Sequence, residues 1–473
     1  MDAASFRRHG HELVDWIADY LDHPERYPVL SQVTPGQIAA ALPQEAPEDP
    51  ESFGAVMADF ERVLVPGLTH WNHPRFFAYF AISASPPGIL AEFLAAALNQ
   101  QAMLWRTSPA ATELEAVSLS WLRQLMGLPD TFEGVIYDTA SISTMHALAA
   151  ARQAAVASAR FGGLAGRPDI PALAVYCSDQ AHSSVDKALV AIGLGSDSLR
   201  RIESDESFRM RPDRLADAIR TDRSAGVLPI AVVATIGSTS TTSVDPVPAI
   251  ADICERESVW LHVDAAYGGA AGLLPSHRHL LAGAGRADSF VVNPHKWLFA
   301  PVDISAFYCR RMDVLREAFS LTPEYLKTTE QAPVRNLMDT GVQLGRRFRA
   351  LKLWMILRMY GARAIREHLR RHIELAQQLA GWIDEHPDFE RLAPVPLSVV
   401  CFRWKPADRP ELSHEALDAA NLELVDRVNA TGEVFLSHTR IHGRVAIRVA
   451  IGNIRTELED VRAAWNTLLE LRS

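Results

Sequence analysis

Four segments of the sequence carry side chains suited to chemistry, and each follows or ends a predicted β-strand. His182 follows the apolar run ALAVYC, and a hydroxyl-rich loop, GSTSTT, follows IAVVATI. Asp264 ends the strand VWLHVD, and Lys296 follows DSFVVN. In an open parallel sheet, ligands bind beyond the carboxyl ends of the strands. The four segments therefore predict one site that combines an imidazole, hydroxyls, a carboxylate and an amine.

These groups match the requirements of an aldehyde cofactor that carries a pyridine ring and a phosphate. A lysine amine forms a Schiff base with the aldehyde, and a carboxylate keeps the pyridine nitrogen protonated, so that the ring accepts electrons. A phosphate binds backbone N–H groups and hydroxyls at a helix N-terminus, and DTASIST (138–144) supplies both just before a helical window at 143–160. The combination predicts a pyridoxal-5′-phosphate (PLP) site with Lys296 as the Schiff-base residue.

Each of these features also has a simpler explanation when it is taken alone. Lys296 could be a surface lysine, Asp264 could cap a turn, and His182 could be a structural histidine. DTASIST could be an ordinary helix N-cap cluster. We favour the functional interpretation because all four occur together and in a consistent order.

The elements that must position these residues alternate between strands and helices, which indicates βαβ units and a mainly parallel sheet. The predicted strands are 172–177, 230–236, 259–265, 288–293 and 444–452, and the predicted helices are 5–22, 143–160, 246–257 and a long one within 344–385. The predicted fold class is α/β, with an N-terminal helical arm (1–78), a large domain (79–350) and a smaller C-terminal α+β domain (351–473).

Composition excludes several classes of protein. The 473 residues carry a formal net charge of −10, which disfavours nucleic acid or an anionic membrane as a partner. The N-terminal stretch has no apolar core typical of a signal peptide, and no stretch is long and apolar enough to cross a membrane. The four cysteines have neither disulfide nor metal-site spacing, so we expect no metal and a cytoplasmic location.

Several motifs resemble those of the group II PLP-dependent amino-acid decarboxylases, and most closely the aromatic-L-amino-acid (DOPA/tryptophan) decarboxylases. They are HPRFFAYF, SPAATELE, DQAHSSVDKA, WLHVDAAYGG, ADSFVVNPHKW and LGRRFRALKLW, and they cover nearly the whole chain. The pair NPHKW and HVDAAYGG is the most specific. The resemblance implies a fold-type-I PLP enzyme that works as a homodimer, with its arm exchanged between subunits and its active site at their interface.

The resemblance also implies roles for individual residues. Lys296 matches the Schiff-base lysine, Asp264 the partner of the pyridine nitrogen, and His182 the residue that stacks on the ring near the substrate carboxylate. Further implied cofactor contacts are Ala140, Ser141, Thr235, Asn293 and His295. Implied substrate contacts are Trp71, Tyr79, Phe80, Ile82, Met103 and Arg448. An aromatic run such as FFAYF is more often core than pocket, and Arg448, on an alternating strand, would by itself be expected to face solvent.

The sequence departs from the family pattern in three places. Many relatives carry a tyrosine on a mobile loop, and this tyrosine is associated with protonating the product. The comparable stretch here, 327–343, has no tyrosine; Leu337 lies near the equivalent place and Tyr325 lies just outside. Ile82 replaces a small hydroxyl residue, and Gln101 replaces an apolar one.

The main functional prediction is decarboxylation of an aromatic L-amino acid to its amine. The missing loop tyrosine leaves open an aldehyde synthase, in which oxygen reacts in place of a proton. An acidic or small amino acid as substrate also stays open. A protein of a different class, an inactive binding subunit with this fold, is disfavoured because Lys296, Asp264 and His182 are all present.

Overall fold

The structure is a computed structural model, and it describes residues 1–321 and 334–472. The chain forms two compact units. The first comprises Met1–Ala81, Leu375–Leu392 and Val400–Ser473, and the second comprises Ile82–Glu374 and Ala393–Val399. The division into an exchanged arm, a large domain and a small domain stays a prediction.

The N-terminal part of the first unit is helical. Its helices are α1 (Ala3–Asp22), α2 (Gln37–Ala41) and α3 (Phe53–Asp59). Asp2 caps α1 by accepting a hydrogen bond from the N–H of Ser5 at 2.7 Å. This helix confirms the amphipathic helix predicted for 5–22. None of its residues is buried within the single chain, and Phe6 is 70% exposed.

A seven-stranded sheet forms the centre of the second unit. Its strands are β1 (Glu133–Tyr137), β2 (Leu173–Ser178), β3 (Leu199–Ile202), β4 (Leu228–Thr235), β5 (Trp260–Asp264), β6 (Ser289–Val292) and β7 (Ser305–Cys309). Their order is β1-β7-β6-β5-β4-β2-β3. The strands from β3 to β6 pair in parallel, whereas β7 pairs antiparallel with both β6 and β1. The mainly parallel sheet is therefore confirmed.

Helices connect these strands and cover the sheet. They are α4 (Pro86–Leu98), α5 (Pro109–Met126), α6 (Ala140–Ala155), α7 (Ala159–Gly162), α8 (Ser184–Ala191), α9 (Pro212–Ser224), α10 (Val247–Glu257), α11 (Pro294–Trp297) and α12 (Met312–Phe319). Every residue of β2, β5 and β6 is buried, which explains why these strands read as continuous apolar runs.

A long helix, α13 (Ala350–Glu385), leads from the second unit into the first, with a non-helical residue at Gly361 (φ +66°). It is followed by β8 (Phe389–Arg391), β9 (Val399–Trp404), α14 (His414–Ala430), β10 (Ser437–Ile441), β11 (Arg444–Ala450) and α15 (Leu458–Leu471). The four strands form a sheet in the order β10-β11-β9-β8, so the α+β character of the C-terminal region is confirmed.

Two local predictions need correction. Helix α6 begins at Ala140 rather than at 143, because Thr139 has extended backbone angles and is already the N-cap. Arg448 does not face solvent: it is only 3% exposed, since β11 is buried along almost its whole length. The alternation of charged and apolar residues in that strand was therefore misleading.

Candidate active site

Four neighbouring parallel strands place their carboxyl ends at one edge of the large sheet. In the register of the sheet, Thr235 at the end of β4 lies opposite Asp264 at the end of β5. Asp264 in turn lies opposite Val291 of β6, and the chain reaches Lys296 five residues later. His182 follows β2, the other neighbour of β4. The sheet therefore brings the predicted strand-end residues to the same edge.

The Asp264 carboxylate is held by the chain that follows it. The side chain is 6% exposed, and its Oδ1 accepts a hydrogen bond from the backbone N–H of Ala266 at 3.0 Å. Beside it, the Oγ1 of Thr235 is buried and has no hydrogen-bond partner among the described residues. A buried hydroxyl without a partner is costly, so the Thr235 hydroxyl is poised to bind a group that enters this edge.

A second carboxylate, that of Asp245, fixes the backbone of Thr235. Asp245 accepts the N–H of Thr235 and the N–H of Met210, each at 2.7 Å. Burial raises the pKa of Asp245 to about 6, and the two N–H groups oppose this rise. Asp245 was not singled out in the sequence, where it reads as an ordinary residue of a Ser/Thr-rich loop.

Lys296 lies in the short helix α11, and its neighbour His295 is locked in one protonation state. The N–H of Ile304 donates to His295 Nδ1 at 3.0 Å, so neutral His295 carries its proton on Nε2. Burial lowers the pKa of His295 to about 3, and the positive charge of Lys296 adds to this effect. The neutral form therefore prevails at neutral pH.

This protonation state also orients Asn293. The side-chain amide of Asn293 lies 3.2 Å from His295 Nε2, and the amide oxygen is the atom that can accept the Nε2 proton. The other end of the amide is buried without a partner in the described part of the chain. The backbone carbonyl of Asn293 accepts the N–H of Lys296 at 3.0 Å. Asn293 thus offers a second unsatisfied polar group close to the lysine.

His182 responds electrostatically to the other two residues predicted to be catalytic. Partial burial lowers its pKa, the positive charge of Lys296 lowers it further, and the negative charge of Asp264 opposes the shift. Its Nδ1 accepts the N–H of Ser184 at 3.1 Å, which leaves the proton of neutral His182 on Nε2. The residue as a whole is exposed in the single chain, while its imidazole is partly buried. The structure therefore brings His182, Lys296 and Asp264 into one electrostatic environment.

The predicted phosphate turn connects β1 to α6. Asp138 Oδ1 accepts the N–H of Thr139 at 2.6 Å, and Thr139 occupies the N-cap position of the helix that begins with Ala140. Ser141 is the second helical residue and is exposed. The first N–H groups of a 16-residue helix and the positive end of its dipole favour an anion at this position.

Together, these residues fit PLP. The edge supplies an amine, a fixed carboxylate and two buried polar groups that have no partner in the described part of the chain. β1 leads into a helix N-terminus suited to a phosphate. Across residues 1–321 and 334–472, no group of three or more His, Cys, Asp or Glu side chains is arranged to hold a metal ion.

The predicted substrate residues divide between the two units. In the first unit, Arg448 donates a hydrogen bond to the carbonyl of Tyr79, and its guanidinium lies 4.8 Å from the ring centre of Phe80. Trp71 stacks on Phe76 at 4.3 Å, whereas Tyr79 is 55% exposed. In the aromatic run, Phe76, Phe77 and Phe80 are therefore core residues, and Tyr79 presents its ring to the surface.

The remaining substrate residues lie in the second unit. Ile82 and Met103 are half-buried. Met103 packs with Leu104 and Met338, and its carbonyl accepts the N–H of Met338 at 3.1 Å.

The structure gives Leu337 a buried position. Its side chain is 2% exposed, and its carbonyl accepts the hydroxyl of Thr340 at 2.6 Å within a short 3₁₀ turn, Leu337–Thr340. A tyrosine at this position would have to fit into a packed interior. Tyr325 and residues 327–333 of the predicted loop lie outside the described residues.

The sequence did not predict that two cations of the motif LGRRFRALKLW form buried ion pairs with carboxylates from elsewhere in the chain. Arg346 pairs with Glu115 at 2.9 Å, and both side chains are almost fully buried. Lys352 is 1% exposed; its Nζ lies 2.6 Å from Glu92 and donates to the carbonyls of Pro301 and Asp303. The only signal in the sequence was an unusual density of cations in an otherwise apolar stretch.

Comparison with known proteins gives matches over nearly the whole chain. The family described as the pyridoxal-dependent decarboxylase conserved domain matches residues 35–405. The chain is 39% identical over 482 residues to a phenylacetaldehyde synthase of Arabidopsis thaliana, covering 99% of this chain and 96% of that protein. It is 40% identical over 477 residues to an aromatic-L-amino-acid decarboxylase of Sus scrofa, covering 98% and 96%.

Solved structures agree with the sequence comparison. A crystal structure of Oryza sativa TDC with PLP and tryptamine aligns with a TM-score of 0.95 and 37% identity, covering 100% of this chain and 98% of that one. The family and the fold type inferred from the motifs are confirmed. The chain belongs to the pyridoxal-dependent decarboxylase family and is a PLP-dependent carboxy-lyase.

Proposed function

We propose that this enzyme decarboxylates aromatic L-amino acids to the corresponding amines, with Lys296, Asp264 and His182 as its catalytic residues. The observation that carries the proposal is the parallel pairing of β2, β4, β5 and β6, whose carboxyl ends bring these three residues to one sheet edge. The aromatic preference is supported by the names of relatives such as the Sus scrofa aromatic-L-amino-acid decarboxylase and by the exposed ring of Tyr79.

When bound, PLP supplies an electron sink for the electron pair that remains when CO2 leaves the substrate. Lys296 would provide the amine that attaches the cofactor. The Asp264 carboxylate, already oriented by the Ala266 N–H, would hold a proton on the pyridine nitrogen. Ala140 and Ser141 would bind the phosphate through the start of α6.

Neutral polar groups complete the cofactor site. Thr235 and Asn293 bring buried polar atoms that have no partner among the described residues. His295 orients Asn293 and, because it stays neutral, adds no positive charge beside Lys296. His182 would lie against the pyridine ring and bind the substrate carboxylate. Its lowered pKa keeps it neutral at pH 7, which suits stacking on a positively charged ring.

In the first unit, Trp71 and Tyr79 would form a wall for the substrate side chain, supported by the buried ring of Phe80 and by Arg448. In the second unit, Ile82 and Met103 are the candidate substrate contacts. The position of Arg448 between the Tyr79 carbonyl and the Phe80 ring indicates that it orients the wall. Arg448 would therefore influence substrate binding indirectly, by positioning Tyr79 and Phe80.

Incubation with a panel of aromatic, acidic and small L-amino acids tests the proposal, with CO2, amine, aldehyde and peroxide all measured. We expect CO2 and amine in equal amounts from at least one aromatic substrate. Release of CO2 only from acidic or small amino acids would reject the substrate class. No CO2 from any substrate, by a protein that holds PLP, would favour the inactive binding subunit.

A second candidate, an aldehyde synthase, is favoured by the buried position of Leu337, which leaves no proton donor there. This reaction consumes O2 and water and releases aldehyde, ammonia, CO2 and peroxide, with one peroxide for each CO2. A positioned acid speeds proton transfer by roughly 10²–10⁴-fold, and His182 and Tyr325 remain as possible donors. We therefore expect a peroxide-to-CO2 ratio well below one in wild-type enzyme and a higher ratio in Tyr325→Phe.

The two outcomes of this measurement separate the candidates. A ratio near one in wild-type enzyme would identify an aldehyde synthase. A low ratio that Tyr325→Phe leaves unchanged would assign the proton to His182 or to water.

We also propose a cytoplasmic homodimer. The exposed apolar residues of α1, including Phe6 and Val14, support a partner surface. The four cysteines all lie among the described residues, are buried and form no disulfide, which fits a reducing compartment. Deletion of residues 1–22 should weaken dimerisation and activity together, and light scattering that finds an intact, fully active dimer would reject this role for α1.

A further inference from the structure

The strand that leads into the predicted phosphate turn is an edge strand of the large sheet. β1 pairs with β7 on one side, and no strand of residues 1–321 or 334–472 pairs with its other side. The outward backbone groups of an edge strand need other partners when they are buried. Here the N–H of Ile136 donates to Glu115 at 2.8 Å, and the carbonyl of Ile136 accepts from Arg346 at 2.5 Å. A buried ion pair thus takes the place of a neighbouring strand.

The same stretch of chain, residues 336–346, binds three consecutive residues, 136–138, that lead into the turn. Arg346 binds Ile136, the carbonyl of Thr340 accepts the hydroxyl of Tyr137, and Gln343 donates to Asp138 Oδ2 at 3.0 Å. The other oxygen of Asp138 accepts the N–H of Thr139, the N-cap of α6. We call residues 336–346 the clamp segment.

The clamp segment also holds the chain around Met103. The N–H of Ala102 donates to the carbonyl of Arg346 at 2.8 Å, and the N–H of Arg346 donates to Gln101 Oε1 at 2.5 Å. The guanidinium of Arg346 also donates to the carbonyl of Ala102 at 3.4 Å. The Arg346 side chain thus contacts both the strand before the phosphate turn and the segment that carries Met103, a predicted substrate contact.

We propose that Arg346, with Glu115 and Gln343, is a positioning residue that sets the phosphate turn of the cofactor site. The inference rests on the proposed function, because it takes the N-terminus of α6 as the phosphate site. Arg346 does not itself touch the cofactor. It fixes the backbone of Ile136, and Gln343 fixes the carboxylate that orients Thr139, so the first N–H groups of α6 are held in place before the phosphate arrives.

The test compares PLP with pyridoxal, which has the same ring and aldehyde but no phosphate. Dissociation constants of both are measured on apoprotein for wild type, Arg346→Gln, Arg346→Lys and Gln343→Leu. Arg370→Gln is the matched control, because Arg370 pairs with Glu367 on the exposed face of α13. Urea unfolding of each apoprotein reports overall stability separately.

We expect Arg346→Gln to weaken PLP binding by about tenfold or more and pyridoxal binding by less than about twofold. Arg346→Lys should fall between wild type and Arg346→Gln, because lysine keeps the charge but loses the forked geometry. Gln343→Leu should weaken PLP binding selectively by about threefold, as expected for one exchanged hydrogen bond. Arg370→Gln should change neither constant.

An unchanged ratio of the two dissociation constants in Arg346→Gln would overturn the inference. If both constants rise equally, Arg346 only maintains the fold; if neither changes, Arg346 does not act on the cofactor site. If Arg346→Gln does not fold, the ratio of the PLP and pyridoxal dissociation constants in Gln343→Leu and Arg346→Lys tests the inference instead. Wild-type apoprotein that binds the two ligands equally would instead reject the phosphate turn itself, and with it that part of the proposed function.

Discussion

The strand-end residues of the second unit and the aromatic segment 71–80 of the first unit are held in different ways. At the strand ends, backbone N–H groups hold two of the polar side chains: Ala266 donates to Asp264, and Ser184 donates to His182. In the aromatic segment, the rings are held mainly by one another and by Arg448. A site that always binds the same cofactor needs polar groups in fixed positions. A surface that contacts the side chains of different substrates can instead be built from apolar residues that are exchangeable.

This difference predicts that substitutions at the strand ends affect the chemical step and that substitutions in the aromatic segment affect the choice and affinity of substrate.

Lys296→Ala should abolish turnover and the covalent attachment of PLP, because no other group can supply the amine at that position. Borohydride reduction followed by mass spectrometry measures the attachment. Lys405→Ala, an exposed lysine paired with Glu390, is the control and should behave as wild type. A normal level of reduced PLP adduct in Lys296→Ala would reject the assignment.

Asp264→Asn should retain PLP but lose several orders of magnitude in kcat, because an amide cannot stabilise a positive pyridine nitrogen. The amide oxygen can still accept the Ala266 N–H, so the local fold should survive. Bound PLP is measured by absorbance and kcat by amine release. Near-normal turnover would show that Asp264 does not contact the ring nitrogen.

Tyr79→Ala should have a smaller effect, confined to substrate binding. Loss of one half-exposed ring should raise KM for an aromatic substrate by about three- to tenfold, while PLP affinity stays unchanged. Phe161→Ala is the control, because Phe161 is an aromatic residue of the second unit that is 88% exposed. A large fall in kcat with KM unchanged would break the division between the two regions.

Much of the candidate cofactor site could be predicted, because its residues occur in short sequence patterns that are recognisable locally. The strands are continuous apolar runs, and Lys296, Asp264 and His182 follow or end them in order. The clamp could not be predicted in this way: Glu115 and Arg346 are 231 residues apart, and nothing near either residue indicates the other. Arg448 was misjudged because its burial depends on Tyr79 and Phe80, far away in the sequence.

The smallest predicted effect concerns His182, and it tests whether the strand ends form a single site. The positive charge of Lys296 lowers the pKa of His182, so removing that charge should raise the pKa. In apoprotein, the imidazole titration of His182 followed by NMR should therefore shift upward in Lys296→Ala and downward in Asp264→Asn, since Asp264 acts in the opposite direction. His182→Gln assigns the signal, and Lys405→Ala should leave it unchanged. If both substitutions leave the titration where it is, His182 does not share an environment with Lys296 and Asp264, and the strand-end residues would have to be treated as separate groups.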